Sequence, residues 1–578
     1  MAVFKVKDMK KTKAIFIGTV LSLALAVTGC KSGSDSQPLS ESNEVVLPAG
    51  TSFLSFPNDF LWGSATASYQ VEGGRYDENG KKLRTDTYWD LMANYGTGTN
   101  GDVAIDQYNR YQEDVALMAK AGVKAYRFSL SIPRLFLTNN GFPVKGSMNA
   151  RGQFTPTLDA DGKLIPAEPN PVGVAYYNNL INELLANGIE PAITLFHWDF
   201  PLGMVMAGEF SNRAITDQYQ VYTETAFKLF GDRVKIWTTL NEPFSYNVLT
   251  QGLSSVLRAD GVDQYSIAKY VTLDRAIGLR LNAIHNYLLA HAKAVNSFHA
   301  LRSAGSIRSD AQIGMTFDLG VAKSSSSNME DVSATNTYND FKNGIFVYPV
   351  FKGKYPDGLL AKLQSLDPAY KLNLSAEQLA TDLSFMNNNQ GDFVALNYYS
   401  RPVVSRKTTT DPDTPVNVWT LQRGAMDSGV FLGDIWIDKQ PNSLGGNNGP
   451  YDPQGFYDTI KWLSDASHNI PMYITENGTG YNATNINEDN IAADGGVHDA
   501  LRTAYLEGHF KAMWKAIHDG VNLKGYMVWS LFDNLEWTSF DKRFGLIYID
   551  HNDNLKRTPK DSYYYYNSVI KNNGLSAE

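Results

Sequence analysis

The chain has 578 residues, enough for one large α/β barrel or for three ordinary domains. With 43% hydrophobic, 12% aromatic and 19% charged residues it reads as globular, and a formal net charge of −9 argues against the basic stripe that nucleic acid requires. Its 10 Trp and 32 Tyr suit either a large core or a surface that stacks on sugar rings, and only their positions separate the two.

Lys10, Lys11 and Lys13 precede an apolar run from Ala14 to Val27, short for a bilayer span and right for the centre of a secretion signal. The run closes in VTGC, and Cys30 is the only cysteine, so the monomer can form no disulfide. These four residues resemble the lipobox of bacterial lipoproteins. The resemblance implies loss of residues 1–29, lipidation of Cys30, and a cell-envelope location, periplasmic or surface-exposed, on the outer membrane if the cell is Gram-negative. Membrane contact would then run only through the lipid anchor. Residues 30–50, rich in Ser, Gly and Pro without core periodicity, are expected to be a flexible tether, and 51–578 one folded domain.

From Phe53 onward short apolar runs alternate with helical stretches. The runs are 60–68, 124–130, 190–197, 235–241, 312–318, 392–399, 471–477 and 523–530. Between them, Tyr177, Leu180, Ile181, Leu184 and Leu185 form an apolar stripe at helical spacing, closed by Gly188. The same design recurs with Tyr108, Tyr111, Val115 and Met118 before Gly122, and with Leu506, Phe510, Met513 and Ile517 before Gly520. Strands that are apolar nearly throughout suit a parallel sheet covered by helices, and eight alternations predict a single (β/α)8 TIM barrel. A doubly wound sheet would want a glycine-rich phosphate turn after an early strand, and none is found. The polar, Gly- and Pro-rich stretches near 139–172, 251–268 and 401–450 are expected to be long loops at the barrel mouth.

Reactive residues of such a barrel gather at the C-terminal strand ends. Strand 4 ends in Asn241-Glu242-Pro243 and strand 7 in Glu476-Asn477-Gly478. A single glutamate there usually does no more than cap a strand. Two of them, each beside an Asn, are the equipment for cleaving a glycosidic bond.

TLNEP and YITENG resemble the acid/base and nucleophile signatures of the glycoside hydrolase family 1 β-glucosidases. FLWGSATASYQVEGG, FHWDFP, WSLFDNLEW and RTPKDSYYYYNSVIKNNG resemble further motifs of that family in the same order. The resemblance implies that Glu242 is the general acid/base and Glu476 the nucleophile of a retaining hydrolase acting by double displacement. Such chemistry needs Glu242 protonated and Glu476 ionised, and the charge of Glu476 would hold the proton on Glu242. By the same resemblance Arg127 and Tyr399 orient the nucleophile. Gln70, His197, Asn241, Glu536 and Trp537 bind sugar hydroxyls, with Trp529 as stacking floor. Trp198 is open between sugar contact and packing, Asn397 between sugar contact and holding its strand end, and Trp436 is placed on the leaving-group side.

Members of the family acting on 6-phosphorylated sugars carry Ser where this chain has Glu536 and Tyr where it has Phe544, so unphosphorylated β-D-glucosides are expected, with β-galactosides or β-fucosides also open. The expected partners are thus small β-glycosides or oligosaccharides; no metal or cofactor is implied, and the oligomeric state is left open. The pattern is broken at Ile132, where Trp is usual, and at Asp318, where Asn is common. It is broken again at PLGM after FHWDFP, and at EWTSFDKRFG, one residue short, which bears on the placement of Phe544. The competing readings are a sugar-binding lipoprotein without turnover, which should have lost a carboxylate, and a transglycosylase on the same scaffold.

Overall fold

A computed structural model describes residues 43–577 apart from 94–97, 150–152, 251–279, 367, 369, 407–428, 433–434, 439, 441–442, 445, 447–448, 483–489 and 538. The expected signal, Cys30, most of the tether and the stretch 251–268 lie outside the described residues.

Eight parallel strands close into a barrel: β1 Leu61–Ala65, β2 Ala125–Ser129, β3 Glu190–Phe196, β4 Ile236–Asn241, β5 Gln312–Asp318, β6 Phe393–Asn397, β7 Met472–Asn477 and β8 Leu523–Trp529. Each pairs with the next in the chain and β8 returns to β1, with Trp529 opposite Ala65. All eight expected strands are present. Their near-continuous apolarity has two sources, because alternate residues face two different cores. Outward-pointing Tyr126, Phe128, Ile193, Leu195, Val394, Leu396, Tyr526 and Val528 pack under the helices. A second, smaller cluster fills the lumen with Ala65, Ala125, Ala192, Ile236, Phe393, Ala395, Tyr473 and Met527. Small side chains at mid-height make room above them, where the strands turn polar.

The helices follow the expected stripes with one exception. α1 Gln107–Ala121 buries Val115 and Met118 and ends at Gly122, whose φ of 78° is left-handed and easy only for glycine. α2 Pro171–Ala186 begins where the Asn170 side chain accepts the Val172 N–H, with Pro171 as its first residue. It buries Tyr177, Leu180, Ile181 and Leu184, but Leu185, expected on the same stripe, is 37% exposed. The helix turns Leu185 past the edge of the sheet-facing arc. α3 Leu281–Ser303, α4 Pro453–Ala466, α5 Ala500–His518 and α6 Asp561–Asn572 belong to the same outer ring. Each fully buried Leu, Ile or Phe contributes about 1.5–3 kcal/mol by leaving water, so a single stripe outweighs the weak helix propensity of its Tyr and Asn positions.

Two stretches expected as loops contain sheet. Gly146–Met148 pairs with Phe154–Pro156 beside a stacked Phe142–Phe154 pair. Val403–Arg406, Gly429–Leu432, Ile435–Asp438 and Lys323–Ser324 form a four-stranded sheet over the mouth, burying Val404, Ile435 and Ile437. The final residues of the expected tether also touch the fold: Val45 is buried, and Asn43 Nδ2 donates to the Tyr451 carbonyl at 3.0 Å.

Candidate active site

At the C-terminal ends of the strands a cavity of about 300 Å³ opens, within the range of small-molecule sites. Glu242 and Glu476 both line it, as do His197, Trp198 and Asn397. Tyr399, Trp529, Glu536, Trp537 and Phe544 complete the part of the wall expected from the sequence.

The two glutamates are both buried but differently held. Arg127, projecting from β2, donates from Nη1 to Glu476 Oε1 at 2.5 Å and from Nη2 to Asn241 Oδ1 at 2.6 Å. Tyr399 donates its hydroxyl to Glu476 Oε2 at 2.8 Å. Glu242 accepts an amide proton from Asn397 Nδ2 at 2.7 Å, has the Ser245 side chain as a further hydrogen-bond neighbour, and meets no cation directly among the described residues. Its backbone sits at φ 51°, a left-handed conformation unusual for a residue with a Cβ, pinned by its N–H to the Thr316 carbonyl at 3.0 Å.

Those surroundings set the charges. Burial, the charge of Glu476 and the charge of Asp318 push the Glu242 carboxyl well above the ordinary range. Burial also raises Glu476, but Arg127 and the Tyr399 hydroxyl oppose it. A proton shared by the pair therefore rests on Glu242.

Around them stands a polar and aromatic shell. Glu536 accepts from Trp529 Nε1 at 3.1 Å and from Gln70 Nε2 at 3.3 Å, and burial raises its pKa to about 7. Burial and Arg127 keep His197 well below its usual pKa, hence neutral, and its Nε2 accepts from Asn241 Nδ2 at 3.2 Å. Two buried atoms of this shell, Gln70 Oε1 and His197 Nδ1, have no partner in the protein. Buried polar atoms without partners are rare, and of these two residues His197 lines the cavity. The rings of His197 and Trp529 lie nearly parallel at 5.8 Å, and Trp198 and Trp537 stack at 4.9 Å.

A family model, Glycosyl hydrolase family 1, matches residues 53–153 and 161–575. The chain belongs to glycosyl hydrolase family 1. Among its family 1 relatives, "Beta-glucosidase A" of Thermotoga maritima is 35% identical over 523 residues, 90% of this chain and 98% of that protein. An "Aryl-phospho-beta-D-glucosidase" of Bacillus subtilis is 34% identical over 530 residues, 90% of this chain and 98% of its own length. The family 1 β-glucosidase of T. maritima in complex with isofagomine lactam superposes with a TM-score of 0.71 at 34% identity, covering 90% of this chain and all of that one.

In this family 1 barrel the positions left open by the sequence take definite surroundings. Asn397 bonds Glu242 and Asn241 as well as ending its strand. Trp198 does two things at once, donating its Nε1 to the Asn241 carbonyl at 3.0 Å while lining the cavity. Phe544 reaches the wall despite the shortened run, edge-on to Tyr399 at 6.2 Å. Trp436 sits opposite Ser405 and Val430 in the sheet over the mouth and is not among the residues that line the cavity, which leaves its place on the leaving-group side an expectation. Residues missed by sequence reasoning include Lys342 and Phe244 on the cavity wall, and Trp89, which stacks on Trp537 at 4.4 Å. Lys342 and Trp89 lie far along the chain from any barrel strand end, the context that first marked the glutamates.

Proposed function

We propose that the chain is a retaining β-glucosidase acting on small unphosphorylated β-glucosides, with β-galactosides and β-fucosides as related substrates. The observation that carries the reading is the asymmetry of the buried pair: Glu476 is held by a guanidinium and a phenol, Glu242 by an amide and facing anions.

In the first step a Glu476 oxygen attacks the anomeric carbon while the bond to the aglycone oxygen breaks and Glu242 hands that oxygen its proton. The product is a glycosyl ester of Glu476 with inverted configuration. In the second step water attacks the same carbon, Glu242 takes the water's proton, and Glu476 departs with the ester bond's electrons, so the configuration is restored. Trp529 would floor the sugar, with Gln70, His197, Asn241, Glu536 and Trp537 around its hydroxyls. By the family resemblance Glu536 occupies the position that distinguishes the phosphoglycosidases, and its carboxylate, gaining charge through neutrality, would repel a 6-phosphate, which supports the preference for unphosphorylated sugars.

Hydrolysis of nitrophenyl β-glycosides tests the activity, and Glu476→Gly tests the role. Azide should rescue that variant and yield an α-glycosyl azide; undiminished turnover without azide would remove Glu476 as nucleophile. We further infer that the chain is a lipoprotein anchored through Cys30 at the cell envelope, supported by the apolar run that ends in VTGC. Labelled palmitate should enter the protein and be lost in Cys30→Ser; equal labelling of both would defeat the anchor.

A further inference from the structure

Asp318 ends β5 and lines the cavity beside Glu242. Its carboxylate uses both oxygens on the turn that follows Glu242: Oδ1 accepts the Phe244 N–H at 3.2 Å, and Oδ2 accepts the Ser245 N–H at 2.9 Å and the Ser245 hydroxyl at 2.6 Å. Lys342 stands behind it. The Lys342 ammonium donates to the Asp318 carbonyl at 2.7 Å, lies 3.5 Å from Oδ2, and covers the Phe244 ring at 3.9 Å from its centre.

We propose that Asp318 is a positioning residue for the acid/base, fixing the strained turn that carries Glu242, and that Lys342 is its counter-ion. The inference rests on the reading of Glu242 as acid/base and deepens it. Glu242 at φ 51° persists only if its neighbours over-determine it. β5 does so from two sides, through the Thr316 carbonyl on the Glu242 N–H and through the Asp318 carboxylate two and three residues later. An asparagine there offers one acceptor atom in place of two and sets an NH2 against a backbone N–H. The carboxylate also adds a negative charge near the Glu242 carboxyl, which favours its protonated state, while Lys342 tempers that charge. Among the described residues the other ionisable groups facing Glu242 are Glu476, Tyr399 and Tyr287, with Arg127 beyond Asn241.

The test compares kcat/KM across pH for a phenyl β-glucoside, whose departure needs a proton, with a dinitrophenyl β-glucoside, whose departure does not. In Asp318→Asn the basic limb for the phenyl substrate should move down by about one pH unit, because one facing anion is gone. The phenyl substrate should lose about tenfold or more at neutral pH, and the dinitrophenyl substrate less than about threefold. In Lys342→Met the basic limb should move up, since a facing cation is gone. Displacements in opposite directions support the proposal; a limb that stays put, or moves the same way in both folded variants, overturns it. If Asp318→Asn does not fold, the upward shift in Lys342→Met decides alone. Glu242→Gln separates the levels: retained phenyl hydrolysis there overturns the acid/base reading and this inference with it. Lost phenyl hydrolysis beside unmoved limbs in the other two variants overturns only the inference.

Discussion

Replacing Arg127 with methionine removes the one cation among the described residues in direct contact with Glu476. The guanidinium also bonds Thr194 Oγ1 at 2.9 Å, Asn241 Oδ1 at 2.6 Å and the Thr475 carbonyl at 3.3 Å, so the change strikes charge and scaffold together. A facing cation at hydrogen-bond distance lowers a carboxyl pKa by about 1–3, and its loss lets burial raise Glu476 by a similar amount. Glu476 must be ionised to attack, so the acid limb of kcat/KM should climb about 1–3 pH units. At a pH on the wild-type limb this is a fall of about 10- to 1,000-fold, or about 1.4–4 kcal/mol. Breaking a buried ion pair costs about 3–5 kcal/mol of stability, so the melting temperature should fall as well. Nitrophenyl β-glucoside hydrolysis over the full pH range, beside a melting curve, reads both. A folded Arg127→Met enzyme whose acid limb coincides with the wild type would refute the argument that this guanidinium keeps Glu476 charged.

Tyr399→Phe removes a 2.8 Å bond to Glu476 and no packing volume, so kcat/KM should drop about 10- to 100-fold, the value of a hydrogen bond to a charged group, with melting unchanged. Gly478→Ala would set a Cβ 1.7 Å from the Trp529 carbonyl oxygen, which is backbone and cannot step aside. It should cost at least about 1–3 kcal/mol, seen as a lower melting temperature, with activity falling as β7 and β8 are forced apart. For Glu536, whose pKa is raised to about 7, the carboxyl gains its charge as pH rises through neutrality. In Glu536→Gln, KM for a glucoside should rise about tenfold and lose its pH dependence in that window, while a 6-phosphoglucoside should bind better than to the wild type.

How much could be read beforehand follows from what the local sequence carries. Strands such as QIGMTFD were legible almost to the residue, because a barrel strand is apolar on both faces and its ends are marked by polar clusters. Glu242 and Glu476 were legible as strand-end acids beside Asn. The mouth sheet was not, since its strands lie among Gly, Pro and polar residues and gain their burial only from tertiary neighbours such as the helix Met329–Asn339. Asp318 was visible as a departure from the family pattern, yet its meaning depended on Lys342, which nothing in the spacing connects to it. Leu185 obeyed the helical period and still faces solvent, because a period gives the direction of a stripe and not the width of the surface that covers it.

The stretch Thr475-Glu476-Asn477-Gly478 shows why such a site is hard to build on one strand and easy on a closed barrel. Thr475 Oγ1 donates to Asn397 Oδ1 at 2.8 Å and so turns that amide's NH2 toward Glu242. Glu476 faces the lumen between Arg127 of β2 and Tyr399 just past β6. Asn477 faces the other way, donating to the Tyr398 carbonyl at 2.7 Å and accepting from the Tyr526 hydroxyl on β8 at 3.3 Å. Gly478 then gives way to the Trp529 carbonyl. Four successive residues answer to three strands: β6 and β8 are the sheet neighbours of β7, and closure of the barrel brings β2 within reach of the same β7 end. The pKa difference between the two glutamates is therefore a property of topology: β7 meets a cation across the lumen, whereas the β4 end meets an amide and the anion of β5.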